Sequence, residues 1–523
     1  MKINKIFSIT ALIALLFAFK LWLNSFLLAE NGDTYDFFKI AYSIQNNNWL
    51  YESKRMPFLP LLLSIFPSEW FVWIGRIWIN LFYFASIFVF YKILRIYIKS
   101  SSNQLTSKLA NQLTLGATII FATNLIIFEN SFYILADTIF LFFNLLYLYL
   151  ILKKNYNALI LAIISLLAFY TRPEGLILVI VTLLIYFKLN KNILKNSTKY
   201  IALVIFGLIP YILKSYYILQ DPLKSGYFDD KAGFIFTTES VLERISNFTF
   251  FTGGFFLIPL LILCINLNWN RKKTILLIFN PIFLIFILNS ILLFLWGPYP
   301  RLYSILIAMC IIGVFKILIN SKDSKFNMQR VFLAILSLIA LACFYIYATQ
   351  VLHHNDFGYT KYGKGISILF SFLIIFLSVI YTKFKWSFNK FILIFTIFVV
   401  FLNIAVFTDK FNITRYKYYS IKLCIEKYID LSKDNKKIAY STLTGLEEWY
   451  IKDFEYKYRY LGNEKTFEKW RIENNVNYII TSLESGHKDS LGHIKMAKYP
   501  DSKIIFEAKT PFFIGSTKLI KLD

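Results

Sequence analysis

Up to residue 408 the chain alternates long apolar runs with short polar stretches; the runs lie near 6–28, 70–98, 109–128, 133–152, 156–171, 174–189, 199–218, 249–266, 274–296, 302–319, 331–349, 365–382 and 390–408. A bilayer core takes roughly 20 apolar residues per helix, so the pattern predicts an α-helical polytopic membrane protein with about 13 transmembrane helices. Two segments break the rhythm. Between the first two runs, residues 29–60 hold a short amphipathic stretch, and the apolar piece 57–67, bounded by Pro57 and Pro67, is too short to span. It reads as a re-entrant or interfacial prelude to the second helix. The stretch 219–248 is amphipathic around Thr238 to Ile245, which suits either a gate over the membrane surface or a loop packed on the bundle.

From Asp409 the pattern becomes that of a soluble domain. KKIAYST and NYIITS read as short buried strands, TFEKWRIENN as a helix between them, and SKIIFEA and TKLIKLD as terminal strands. The expected organisation is therefore a transmembrane domain at 1–408 and a small C-terminal α/β domain at 409–523, accessory in gating or acceptor binding.

Composition agrees with the pattern: 57% of residues are hydrophobic and 19% aromatic. The net charge of +25 does not point to nucleic acid, because the basic residues before 409 sit in short loops between apolar runs. Lys99 and Lys108, Lys153 and Lys154, Lys188 to Lys199, Arg271 to Lys273, Lys322 to Arg330 and Lys383 to Lys390 alternate in one phase, which puts them and the N-terminus in the cytoplasm. Acidic residues before 409 fall on the other side, Asp323 excepted, so the C-terminal domain and the chemistry are expected on the extracytoplasmic face of the plasma membrane. The N-terminal run is too long for a signal peptide and lacks a small-x-small cleavage site, so it reads as a retained helix. The four cysteines form no disulfide framework and no CxxC pattern.

Ionisable residues beside membrane segments are expensive unless used. Asp33 and Asp36 lie at the mouth of the first helix, with Lys54 and Arg55 further along the same stretch. Asp137 opens the fourth apolar run, Arg172 and Glu174 interrupt what would otherwise be one overlong run, and Arg301 opens the tenth. A guanidinium offers a planar fork to phosphate oxygens; a carboxylate accepts a proton or holds a divalent cation. Lys20 and Arg76 lie inside apolar runs and are expected to snorkel or to touch lipid phosphate. The adjacent His353 and His354 have no spaced third ligand and read as loop residues.

The stretch GDTYDFFKIAYSI followed by ESKRMPFLPLLL resembles the first outer loop of the GT-C glycosyltransferases, which use polyprenyl-phosphate sugars and include protein O-mannosyltransferases and lipid A aminoarabinose transferases. LADTIFLFFNLLYLY is similar to their second acidic motif, TRPEG to a motif of several mannosyltransferase branches, and PYPRLYSILIAMC to a late Arg-containing helix start. Together these cover the layout of residues 1–410. The chain departs from the Asp-Glu pair common in protein O-mannosyltransferases, since Thr34 follows Asp33.

The resemblance implies inverting transfer of a sugar from a polyprenyl-phosphate donor to a glycan, lipid or protein acceptor. In it Asp33 is the general base, Asp137 orients the acceptor or helps Asp33 hold a divalent cation (Mg or Mn), and Arg301 with Arg172 meets the donor phosphate. Asp36, Glu174, Lys54 and Arg55 support the site. The rival reading, a transporter or flippase of lipid-linked sugars, calls for polar residues on both faces or repeated halves, and neither is evident in the sequence.

Overall fold

The computed structural model describes residues 2–30, 32–49, 55–100, 107–189, 193–219, 280–296, 303–320, 397, 411, 415–416, 418–431, 437–440, 446–451, 457–459, 464–482, 503–511 and 516–522. Outside them lie the expected helices at 249–266, 331–349 and 365–382, that at 390–408 except for one residue, the amphipathic stretch 219–248, and Lys54, Arg301, His353 and His354. The chain forms two compact units. One comprises residues 1–48, 60–77 and 408–523; the other comprises 49–59 and 78–407.

In the first unit the opening apolar run forms α1 (Lys2–Ser25), and the amphipathic stretch forms α2 (Gly32–Gln45). The piece between the prolines is the short helix α3 (Phe58–Ser64), with a 3-10 turn at Ser68–Trp70 leading into α4 (Phe71–Ser100). α3 and α4 both straddle the boundary between the units. Gln45 at the end of α2 donates from Nε2 to the carbonyls of Ser64, at 3.1 Å, and Phe66.

The C-terminal sequence builds a five-stranded sheet in the order β2-β1-β3-β5-β4: β1 (Ile438–Tyr440), β2 (Lys457–Arg459), β3 (Tyr478–Ser482), β4 (Ile504–Ala508) and β5 (Thr517–Lys521). β1 runs parallel to β2 and β3, and β5 runs antiparallel to β3 and β4. The helix Glu464–Glu473 lies between β2 and β3 in sequence and supplies Phe467 to a core of Ala439, Val476, Ile479, Ile520 and Leu522. Four strands and this helix match the apolar pattern. Three elements do not announce themselves in it: β2, the helix Tyr419–Leu431 and the five-residue helix Leu446–Tyr450. The Tyr419–Leu431 helix is tied to the sheet by buried hydroxyls, Ser420 Oγ lying 2.8 Å from Thr517 Oγ1 and the latter donating to Ser482 Oγ at 3.0 Å.

In the second unit α4 continues and is followed by α5 (Ser107–Thr123), α6 (Leu125–Asn130), α7 (Ala136–Leu152), α8 (Ala158–Thr171), α9 (Leu176–Leu189) and α10 (Ile193–Leu219), and later by helices Pro281–Trp296 and Ser304–Asn320. The expected single helix at 109–128 is broken at Asn124. Its backbone is extended there, and its side chain accepts from the amides of Ile126 at 3.1 Å and Ile127 at 3.4 Å, capping a new helix. α8 packs against α7, α9 and α10, with polar ties inside the apolar bundle. Tyr147 Oη meets Thr182 Oγ1 at 2.8 Å, and Tyr200 Oη donates to Ser165 Oγ at 2.9 Å.

Among the described residues, 68–97 and 196–217 are helical, apolar and long enough to cross a bilayer. α10 carries Phe206 at 74% exposure beside exposed Ile205, Leu213 and Tyr217, an apolar surface that water would penalise and lipid accepts.

Candidate functional site

Asp33 is the second residue of α2, where a carboxylate is favoured by the unpaired amides of a helix start. It is half-buried, and Asp36, one turn on, lies 3.6 Å from Lys39 Nζ. At 100° per residue Tyr35, Phe38 and Tyr42 share the opposite side of this helix from Asp33, and Tyr35 and Phe38 are fully buried.

The segment leading into α2 carries a buried ion pair. Glu30 receives Arg76, whose Nε and NH2 both reach Oε1, at 2.8 and 2.7 Å; the two side chains are 3% and 8% exposed. Arg76 also lies over the Trp73 ring. The Glu30 amide donates to Tyr35 Oη at 3.3 Å, and the Tyr35 ring sits 5.7 Å from that of Tyr450. Burial, then the neighbouring Tyr450 phenol and the Glu30 carboxylate, push the Tyr35 phenol well above its usual range; burial likewise pushes Tyr450 up. Charge is thus enclosed by groups that stay neutral at ordinary pH.

Arg76 and Lys20 do not snorkel as the sequence suggested. Arg76 is taken up by Glu30, and Lys20, also buried, donates from Nζ to Asn24 Oδ1 at 3.0 Å. In both cases an intramolecular acceptor within reach replaces the interface.

In the second unit the structure brings together three of the predicted residues. Arg172 NH1 donates to Asp137 Oδ1 at 2.6 Å, NH2 to Glu174 Oε1 at 2.8 Å and Nε to Glu174 Oε2 at 3.3 Å, and all three side chains are buried. Two carboxylates thus face one guanidinium. Its scaffold is local. Arg172 ends α8 in an extended conformation, Pro173 opens a 3-10 turn, and Asp137 projects from the first turn of α7. Gly175 closes the turn against the preceding helix so tightly that a Cβ would come within 2.2 Å of Phe169 N and 2.4 Å of the Ala168 carbonyl carbon. Only glycine fits, and that fixes Glu174 beside Arg172.

Arg55 is described and half-buried; Lys54 and Arg301 lie outside the described residues. Among the described residues no group of three or more His, Cys, Asp or Glu side chains has the geometry to hold a metal ion. Residues 30, 35, 449, 450 and 422 escaped the sequence reading. The usable signal for Glu30 was the pairing of an acid at the end of one apolar run with the basic residue inside the next.

No family model and no curated protein matches the chain. Among solved structures, ArnT from Cupriavidus metallidurans bound to undecaprenyl phosphate is similar, with a TM-score of 0.57 and 11% identity over 98% of both chains. The apo form of the same protein is similar with a TM-score of 0.55 and 10% identity, over 100% of this chain and 98% of that one. From end to end the chain shares the fold of that protein.

Proposed function

We propose that this protein is an integral membrane glycosyltransferase that moves a sugar, with inversion, from a polyprenyl-phosphate donor to an acceptor hydroxyl on the extracytoplasmic face. The observation that carries the proposal is the whole-length fold match to a protein whose structure holds undecaprenyl phosphate. Fold alone does not make function. What supports the chemistry is a carboxylate at the start of an amphipathic helix that follows the first apolar helix.

In the proposed reaction the acceptor oxygen attacks the anomeric carbon while its proton passes to Asp33, and the bond from that carbon to the phosphate oxygen breaks on the opposite face. Polyprenyl phosphate leaves with the bonding pair. We assign the charge growing on that phosphate first to Arg301, because Arg172 is already answered by Asp137 and Glu174. In this reading the buried triad holds the break between α8 and α9 rigid, and Asp137 orients the acceptor through it. Asp36, Lys54 and Arg55 are supporting residues in this reading. The soluble C-terminal part belongs to the same extracytoplasmic side.

The test uses purified protein in detergent with a panel of short-chain polyprenyl-phosphate sugars and scores released polyprenyl phosphate. Release by the wild type that is lost in Asp33→Asn supports the proposal and identifies the sugar. Movement of donor across liposomes without release would replace it with the flippase reading.

A further inference from the structure

The C-terminal part of the first unit grips the chain on both sides of Asp33. Ahead of α2, Lys422 Nζ donates to the Leu28 carbonyl at 3.1 Å, the Leu28 amide donates to the Arg415 carbonyl at 3.4 Å, and the Arg415 guanidinium lies 5.7 Å from the Phe26 ring. Along α2 itself, Trp449 lies 5.2 Å from Phe38 and 6.4 Å from Tyr42, and stacks on Phe71 of α4 at 5.8 Å with the planes 21° apart. Tyr450, the next residue, packs on Tyr35. Lys422 also reaches over the Tyr450 ring, which links the two grips.

Two features distinguish this from mere coverage of apolar surface. The grip ahead of α2 is polar and directional: one Nζ and one carbonyl take both backbone groups of Leu28. The aromatic grip on α2 is made through Tyr35, Phe38 and Tyr42, on the side of the helix away from Asp33, while the side that carries Asp33 is itself packed through Phe37, Ile40 and Ile44. The helix Leu446–Tyr450 is too short to be stable alone, so its aromatic pair is held in place as much as it holds.

We infer that Trp449 and Tyr450 are positioning residues that clamp α2 and fix Asp33 for transfer. The inference rests on the functional reading above and goes beyond it by making the C-terminal part a component of catalysis. Trp449 touches no reacting atom in this reading. It acts through Phe38 and Phe71, which set the rotation and depth of α2, and a misplacement of about 1 Å in a general base costs on the order of 100-fold in rate.

The test pairs amide hydrogen exchange with kinetics on full-length protein in detergent, for the wild type, Trp449→Phe and Trp449→Ala. Trp449→Ala is expected to speed exchange of α2 amides at least tenfold while β3 and α8 stay protected. Its kcat should fall roughly 10- to 100-fold with donor KM within about twofold of wild type, and Trp449→Phe should restore most of both. If Trp449→Ala also exposes β3, Phe38→Leu carries the test, since it keeps bulk on α2 and removes only the ring contacts; faster α2 exchange with a kcat loss supports the clamp. Unchanged α2 exchange in a folded variant overturns the clamp. Faster α2 exchange with unchanged kcat overturns the positioning role. Absence of transfer by the wild type with every donor defeats the functional reading instead, and the exchange data still decide whether α2 is clamped.

Discussion

Two buried arginines solve the same electrostatic problem in opposite ways. Arg76 meets one carboxylate among the described residues, Glu30, 46 residues away in sequence, beside Tyr35 and Tyr450. Arg172 meets two among the described residues, one of them only two residues away on a turn that Gly175 locks. A long-range pair ties segments together. A local triad fixes one turn inside an apolar bundle, where burying charge is costly.

Removing each arginine sharpens the contrast. Arg172→Leu leaves two carboxylates buried without their cation and is expected to cost on the order of 5 kcal/mol or to abolish folding, measured by thermal unfolding in detergent. Arg76→Leu strands one and should cost about 3 kcal/mol by the same measurement. The double replacement Glu30→Leu with Arg76→Leu should recover stability to within about 1 kcal/mol of wild type, as buried pairs often do when exchanged for apolar bulk. The matching pair Asp137→Leu with Arg172→Leu should recover less, because Glu174 loses the guanidinium it faces. Equal recovery at both sites would erase the distinction.

The smallest lever is pH, and it acts on the screen around Glu30. Tyr35 and Tyr450 hold their protons more tightly folded than unfolded. Their contribution to stability is whole below the unfolded phenol value of about 10 and falls as pH rises from there toward the folded values. Unfolding temperature should therefore drop more steeply above about pH 10 in the wild type than in Tyr450→Phe.

What the sequence disclosed follows from how local each feature is. Asp137, Arg172 and Glu174 stand out because charge inside apolar runs is conspicuous, and Pro173 and Gly175 mark the break that joins two of them. α2 and strands β1, β3, β4 and β5 follow from amphipathic and apolar patterning. β2 is only Lys457–Arg459, with no apolar run to reveal it, and it is ordered by pairing with β1. Glu30 with Arg76, and Trp449 with Phe71, are partners chosen by tertiary packing across 46 and 378 residues, a difference of 449 and 71 in numbering. Such partnerships leave no periodic trace. The break at Asn124 was hidden for a different reason: a polar cap can stop a helix without interrupting the surrounding apolar composition.

The central claim is that Asp33 takes the acceptor's proton, and single-turnover release of polyprenyl phosphate tests it most directly. With wild type and Asp33→Asn matched for hydrogen-exchange pattern, so that both are equally folded, the account predicts a loss of roughly 100- to 10,000-fold in the variant with donor binding retained. Equal release by the two proteins would contradict it.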